Sequence, residues 1–85
     1  MLSLAAEWAP YNIRVNAISA GYILTEQTAA TASIKEAYER NVSMTPMKRY
    51  GRTDELKGAL VYLASDASTY TTGSVMLVDG GYTVW

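Results

Sequence analysis

The chain has 85 residues, about half of them apolar, and a net charge of −1. That balance fits one small globular unit with a marginal core and offers no electrostatic footprint for nucleic acid or an anionic membrane. Cysteine and histidine are both absent, which excludes disulfides, thiolate nucleophiles, imidazole acid–base chemistry and most zinc sites.

Residues 2–9 read as the last turns of a helix. Leu4, Ala5 and Trp8 fall at helical spacing, and Pro10 marks the stop. No capping residue precedes Leu2, as for a helix already under way. Met1 to Ala6 has no basic start and Glu7 follows at once, so it does not read as a signal peptide. No apolar run approaches the roughly 20 residues of a membrane helix. Cytoplasmic is the expected location.

Tyr11 and Asn12 form a turn into a strand that starts at Ile13. There Ile13, Val15 and Ala17 alternate with Arg14, Asn16 and Ile18. Gly21 ends the strand, where a residue without Cβ permits positive φ. Residues 28–32 are small and of weak helical preference. Ser33 to Glu36 matches a capping box, predicting a short helix to about Asn41 with Ile34, Ala37 and Tyr38 on one face. Pro46 breaks it by pushing Thr45 out of the helical region.

Lys48, Arg49 and Arg52 make a basic turn. Two readings stand: a contact for phosphate or carboxylate, or a solvated loop beside a helix. Thr53 is the predicted N-cap of the strongest helix, with Asp54 and Glu55 in its first turn where negative charge suits the dipole. Leu56, Ala59, Leu60 and Leu63 form its apolar stripe, widened by Val61, Tyr62 and Ala64. Gly58 mid-helix costs roughly 1 kcal/mol against alanine, so close packing is its expected reason. Residues 74–78 form a second strand, apolar on both faces like a covered parallel strand. Asp79 to Gly81 turns the chain towards Tyr82 and Trp85. Strand, crossover with helix, and strand make one βαβ unit with a right-handed connection expected. Both outer edges are left open to pairing.

Several of these segments resemble one family. Asn16-Ala17-Ile18-Ser19-Ala20-Gly21-Tyr22-Ile23-Leu24-Thr25 is similar to the segment after the sixth strand of short-chain dehydrogenases/reductases, Asn-x-[Ile/Val]-x-Pro-Gly-x-[Ile/Val]-x-Thr. Ser3 to Ala9 resembles the end of the family's preceding helix, Gly51-Arg52 with Glu55 the entry to its last helix, and Leu63 to Ser68 followed by Thr72-Gly73 and Val78 to Gly81 its final helix-to-strand passage. The closest look is to fungal polyol and ketose reductases of the NADP-dependent mannitol dehydrogenase and sorbose reductase kind. The resemblance implies an α/β fold: the C-terminal βαβ part of a Rossmann-like, doubly wound parallel sheet, incomplete on its own. Residues 1–85 would be the C-terminal segment of the domain and residues 26–48 its substrate flap.

It also implies an NADP or NAD cofactor and a sugar or polyol substrate whose ketone and alcohol forms are interconverted. Ala20, Gly21, Ile23 and Thr25 are then the cofactor-binding residues, with the Ile23 backbone on the carboxamide and the Thr25 hydroxyl near a phosphate. Ala20 departs from the pattern, since proline there would fix φ and stiffen the turn. Without the resemblance, the same stretch reads as a plain strand-to-loop turn whose threonine caps a helix.

The family's glycine-rich loop and Tyr-x-x-x-Lys are not found: no tyrosine has a lysine four residues on. No catalytic residue is therefore assigned, and no metal. Asp66 and Asp79 read either as a carboxylate pair or, separately, as a helix end and a turn. Tyr82 and Trp85 read as a ligand platform or a subunit contact. The expected partner is a second copy or a missing N-terminal portion. The alternative to a piece of an oxidoreductase is a non-catalytic interaction module that pairs through its exposed sheet edges.

Overall fold

The computed structural model describes residues 2–82. Helix α1 (Leu2–Trp8) runs into a 3-10 turn over Ala9–Tyr11 that contains Pro10, and Asn12 closes it at φ 62°. Asparagine tolerates that left-handed position better than most residues, and its N–H donates to the Ala9 carbonyl.

The first strand, β1 (Ala17–Ala20), pairs in parallel with the last, β4 (Val75–Val78). The register sets Ala17 against Val75 and Ala20 against Val78. β1 is shorter than its alternation predicts: before Ala17 the two segments are joined by one backbone bond, from the Gly73 N–H to the Val15 carbonyl at 2.8 Å, and otherwise by side chains. The Asn16 amide donates to the Thr71 carbonyl at 2.9 Å and accepts from the Ser74 N–H at 3.0 Å. The Val15 N–H meets the Thr72 hydroxyl at 3.1 Å.

A second parallel pair was not foreseen from the sequence. β2 (Ile23–Leu24) lies beside β3 (Gly51–Arg52), and the Gly51 N–H donates to the Tyr22 carbonyl at 2.9 Å. Between these strands come α2 (Glu26–Ala32) and α3 (Lys35–Ser43). Here the small-residue stretch is helical, because Thr25 and Thr28 form a capping box and alanine favours the helix. The box expected at Ser33 does not form. Ser33 ends α2, its hydroxyl donates back to the Ala30 carbonyl, and Ile34 stands before α3 without a side-chain cap.

Helix α4 (Lys57–Ala64) follows a 3-10 turn over Thr53–Leu56. Thr53 is not its cap; the Glu55 carboxylate instead accepts from the Arg52 N–H at 2.9 Å. Nothing lies within 4 Å of a Cβ built on Gly58, so close packing is not its reason. Leu56, Ala59 and Leu63 are half-buried, whereas Leu60, Val61 and Tyr62 face out. β4 is covered on one face only: Met76 and Val78 are half-buried, while Val75 and Leu77 are exposed. The expectation of cover on both faces is corrected for the described residues.

The interior is accordingly thin. The radius of gyration is 15.7 Å, against about 12 Å for a compact domain of this length. Among the described residues, the buried apolar side chains are Ala5 and Tyr50, and each strand of the β1–β4 pair has one neighbour. Polar bonds therefore carry much of the definition. Arg14 is the main one, donating to the Leu63 carbonyl at 2.9 Å, the Ser68 hydroxyl at 2.7 Å and the Ser65 carbonyl at 3.2 Å. It meets the C-terminal end of α4, where the dipole favours a cation, and it bonds Ser68, the most deeply buried of the described residues.

Hydrogen bonds from a charged group contribute more than neutral ones. Arg14→Ala is expected to destabilise the chain by about 2 kcal/mol, and Arg52→Ala, an exposed ion pair, by less than about 0.5 kcal/mol. Urea unfolding followed by circular dichroism measures both; equal costs would contradict the assignment.

Candidate functional site

The turn after β1 starts from a close backbone approach. The Gly21 N–H donates to the Val78 carbonyl at 3.1 Å. A Cβ at Gly21 would sit 2.9 Å from the Asp79 Cα, Cβ and carbonyl oxygen, closer than real contacts allow. Glycine is required there by this approach and not by positive φ, which occurs instead at Gly73, Gly80 and Gly81. Ala20 is the exposed last residue of β1. Ile23 begins β2, and Thr25 caps α2. The four residues thus form one continuous turn at the carboxyl ends of β1 and β4, the place where open α/β sheets bind ligands.

Two threonines hold that turn. The Thr28 N–H donates to the Thr25 hydroxyl oxygen at 3.2 Å, and the Thr25 N–H to the Thr28 hydroxyl oxygen at 2.8 Å. The Thr28 hydroxyl donates to the Ile23 carbonyl at 2.7 Å. With the Thr28 hydrogen given to Ile23, the Thr25 hydroxyl is the donor across the 3.3 Å contact to the Thr28 oxygen, the longest bond of the set. Thr28 was not singled out from the sequence, because the capping-box pattern asks for glutamate or glutamine at that position and not threonine.

Behind the turn lies a cleft of about 280 Å³ between Tyr22 and Ile23, the Arg49, Gly51 and Glu55 wall, and Leu77 to Gly81, with Met47 at one side. Ile23 is the one sequence-predicted cofactor residue that lines it. Residues 45–47 pack on the Asp79-Gly80-Gly81 turn. The Met47 N–H donates to the Gly80 carbonyl at 3.0 Å, and Cβ atoms at Gly80 and Gly81 would meet Thr45 at 2.9 Å and the Pro46 ring at 3.0 Å.

Tyrosines join α3 to this end of the molecule. Tyr38 stacks on Tyr50 with centroids 5.3 Å apart, and Tyr22 lies 5.7 Å from Tyr50 and edge-on to Tyr82 at 5.6 Å. The buried Asn41 amide donates to the Tyr50 hydroxyl at 2.7 Å. Tyr82 therefore has an internal partner, while Trp85 lies outside the described residues. Burial, and then the neighbouring Tyr82 hydroxyl, push the Tyr22 phenol above its ordinary pKa. That is opposite to the direction a tyrosine acid–base catalyst needs at neutral pH.

The basic turn is matched within the chain. Arg49 makes a bidentate pair with Glu55 at 2.7 and 2.9 Å, Arg52 meets Asp54 at 3.1 Å, and the Lys48 ammonium donates to the Ser43 carbonyl. Of the two readings of this turn, a carboxylate contact is the one seen: the arginines meet the chain's own Glu55 and Asp54 at the start of the α4 segment. Asp66 and Asp79 are not a pair. Asp79 lines the cleft and accepts from the Gly81 N–H at 3.0 Å. Asp66 lies in a 3-10 turn and borders a separate hollow with Arg14, Tyr70 and Thr72. Among the described residues no group of three or more potential ligands could hold a metal ion, and no helix is long and apolar enough to cross a membrane.

The parallel pairs, their order and this turn define a Rossmann-like α/β arrangement. A family model for enoyl-(acyl carrier protein) reductase matches residues 1–83, and the chain belongs to the short-chain dehydrogenase/reductase family. It is 48% identical over 83 residues to galactitol 2-dehydrogenase (L-tagatose-forming) of Cereibacter sphaeroides, covering 98% of this chain and 33% of that one. It is 53% identical over 81 residues to a sorbose reductase of Candida albicans, covering 95% and 28%. A crystal structure from Agrobacterium tumefaciens with bound NADP superposes with a TM-score of 0.94 at 37% identity, covering 98% and 34%. The chain spans about a third of the length of these relatives.

The Arg49 guanidinium, then the Arg52 N–H, hold the Glu55 carboxyl at about 2. A lowered carboxylate pKa stabilises the fold above the unfolded value of about 4.3, and that stability is lost as pH falls towards 2. Acid titration of the wild-type chain is expected to lower its melting temperature between pH 5 and 2, and Glu55→Gln to flatten that part of the profile. Identical profiles would contradict the clamp.

Proposed function

We propose that the chain is the C-terminal portion of an NAD(P)(H)-dependent oxidoreductase that interconverts ketone and alcohol on a sugar or polyol. The observation that carries this reading is the turn over residues 20–25. It lies at the carboxyl ends of two parallel strands, its backbone is held in place by its neighbours, and the Thr25 hydroxyl makes only a long 3.3 Å bond to Thr28 that a phosphate oxygen can replace. The relatives named above act on sugar alcohols and ketoses by their names, and a relative of the same fold holds NADP.

The residues present suit a dinucleotide. Gly21 brings the turn hard against Asp79, the exposed Ala20 leaves room beside it, and the Thr25 hydroxyl can donate to a phosphate oxygen. When bound, the nicotinamide would supply or accept the hydride. This chain's part is to orient it through Ala20, Gly21, Ile23 and Thr25. Residues 26–48 cover the substrate; α2 and α3 are tied at one end by Thr28 to Ile23 and at the other by Met47 to Gly80, which suits a flap with two fixed ends. The proton-transferring tyrosine and its lysine are supplied by residues outside these 85, since no Tyr-x-x-x-Lys occurs among them.

Two measurements test the reading. The 85-residue chain by itself is expected to show no NAD(P)H oxidation with sorbose or fructose. A chimera in which it replaces the matching third of the Candida albicans sorbose reductase is expected to reduce sorbose within about tenfold of the parent rate, a loss of about 1.4 kcal/mol at most. A folded chimera without activity, or turnover by the chain by itself, would contradict the reading.

A further inference from the structure

We propose that Thr28 is the positioning residue of the cofactor turn: its single hydroxyl fixes the Ile23 carbonyl and the Thr25 amide on either side of Leu24. This rests on the cofactor reading above and adds to it a residue outside the Asn16–Thr25 motif.

The turn cannot hold itself. Gly21 is the least restricted residue type and Ala20 leaves φ free, so its shape must come from contacts. A threonine hydroxyl has one hydrogen and two lone pairs. The hydrogen of Thr28 goes to the Ile23 carbonyl at 2.7 Å, since the competing Thr25 carbonyl is 3.4 Å away. One lone pair receives the Thr25 N–H at 2.8 Å. Thr28 is half-buried, so water competes weakly for either bond.

A second consequence concerns Thr25. With the Thr28 proton committed to Ile23 and the Thr28 N–H donating to the Thr25 oxygen, the Thr25 hydroxyl donates across the 3.3 Å contact to the Thr28 oxygen, a long bond that a phosphate oxygen can replace. Thr28 thereby sets both the backbone shape of the turn and which hydroxyl can donate to a bound dinucleotide. It touches neither the nicotinamide nor the phosphates in this role, and acts through Ile23 and Thr25.

Valine and serine separate this role from packing. Thr28→Val keeps the shape and removes both hydroxyl bonds; Thr28→Ser keeps the hydroxyl and loses the methyl. Two readouts are taken: amide hydrogen exchange at Thr25 in the 85-residue chain, and NADPH affinity of the sorbose reductase chimera from the fluorescence of the reduced nicotinamide. One net hydrogen bond corresponds to roughly a fivefold to tenfold change. Thr28→Val is expected to speed Thr25 exchange and weaken NADPH binding by about that factor, with Thr28→Ser within about threefold of wild type on both.

A valine variant that behaves as wild type, or a serine variant as damaged as the valine one, overturns the proposal. Should the valine variant lose its helical circular dichroism, the serine variant decides: retained Thr25 protection supports the hydroxyl role and lost protection overturns it. A folded chimera with the wild-type segment that binds no NADPH overturns the cofactor reading, and Thr28 then stands or falls on the exchange comparison.

Discussion

The parallel register of β1 and β4 depends on a side chain rather than on a longer ladder. Four residue pairs are too few to fix a register by themselves. The Asn16 amide adds a donor and an acceptor that fit the Thr71 carbonyl and the Ser74 N–H, and a slip by one residue would lose both. Arg14, two residues earlier, ties the same strand entry to the last carbonyls of α4. Strand and helix are thus located relative to each other before apolar packing contributes, which matters where so little apolar surface is buried.

From that register the rest of the candidate site follows. Placing Ala20 opposite Val78 brings Gly21 against Asp79 so closely that no side chain fits. Asp79 then turns through two glycines of positive φ, and these accept Thr45 and Pro46 in contact distance. The flap-like segment is consequently anchored on the same turn that backs the proposed cofactor cradle. The Arg49–Glu55 clamp fixes the entry to α4 next to β3, and Arg52 is paired with Asp54 beside it.

Much of this was legible in the sequence because it rests on local chemistry. The β-branched run at Ile13, the Asp79-Gly80-Gly81 turn and the apolar Val75–Val78 strand each announce themselves within a few residues. What was not legible depends on distant partners. β2 and β3 are two residues each and exist because residues 22 and 51 meet. Gly21 reads as a turn glycine until Asp79 is seen beside it. Ser33 and Glu36 have the right spacing for a capping box, yet the Thr25–Thr28 box starts the preceding helix, and Ser33 is spent ending it. In the basic turn, sequence shows three cations and two carboxylates but not that the arginines face their own helix start. The family could be recognised because its motifs are strings of such local turns; the chemistry could not, since the proton-transferring motif is not among these residues.

The exposed Val75 and Leu77 face and the single-neighbour strands mark a surface that relatives three times this length have more chain to cover. The central claim is nonetheless contained within the chain: β1 and β4 lie parallel with Ser19 opposite Leu77. Because the sequence has no cysteine, that pairing can be read directly. Adjacent strands are about 4.8 Å apart, within the span a disulfide bridges. The Ser19→Cys, Leu77→Cys chain should close an intramolecular disulfide under mild oxidation, whereas Ser19→Cys with Met76→Cys, whose side chain points to the opposite face, should remain reduced. Closure of the second pair in preference to the first would contradict the register on which the account stands.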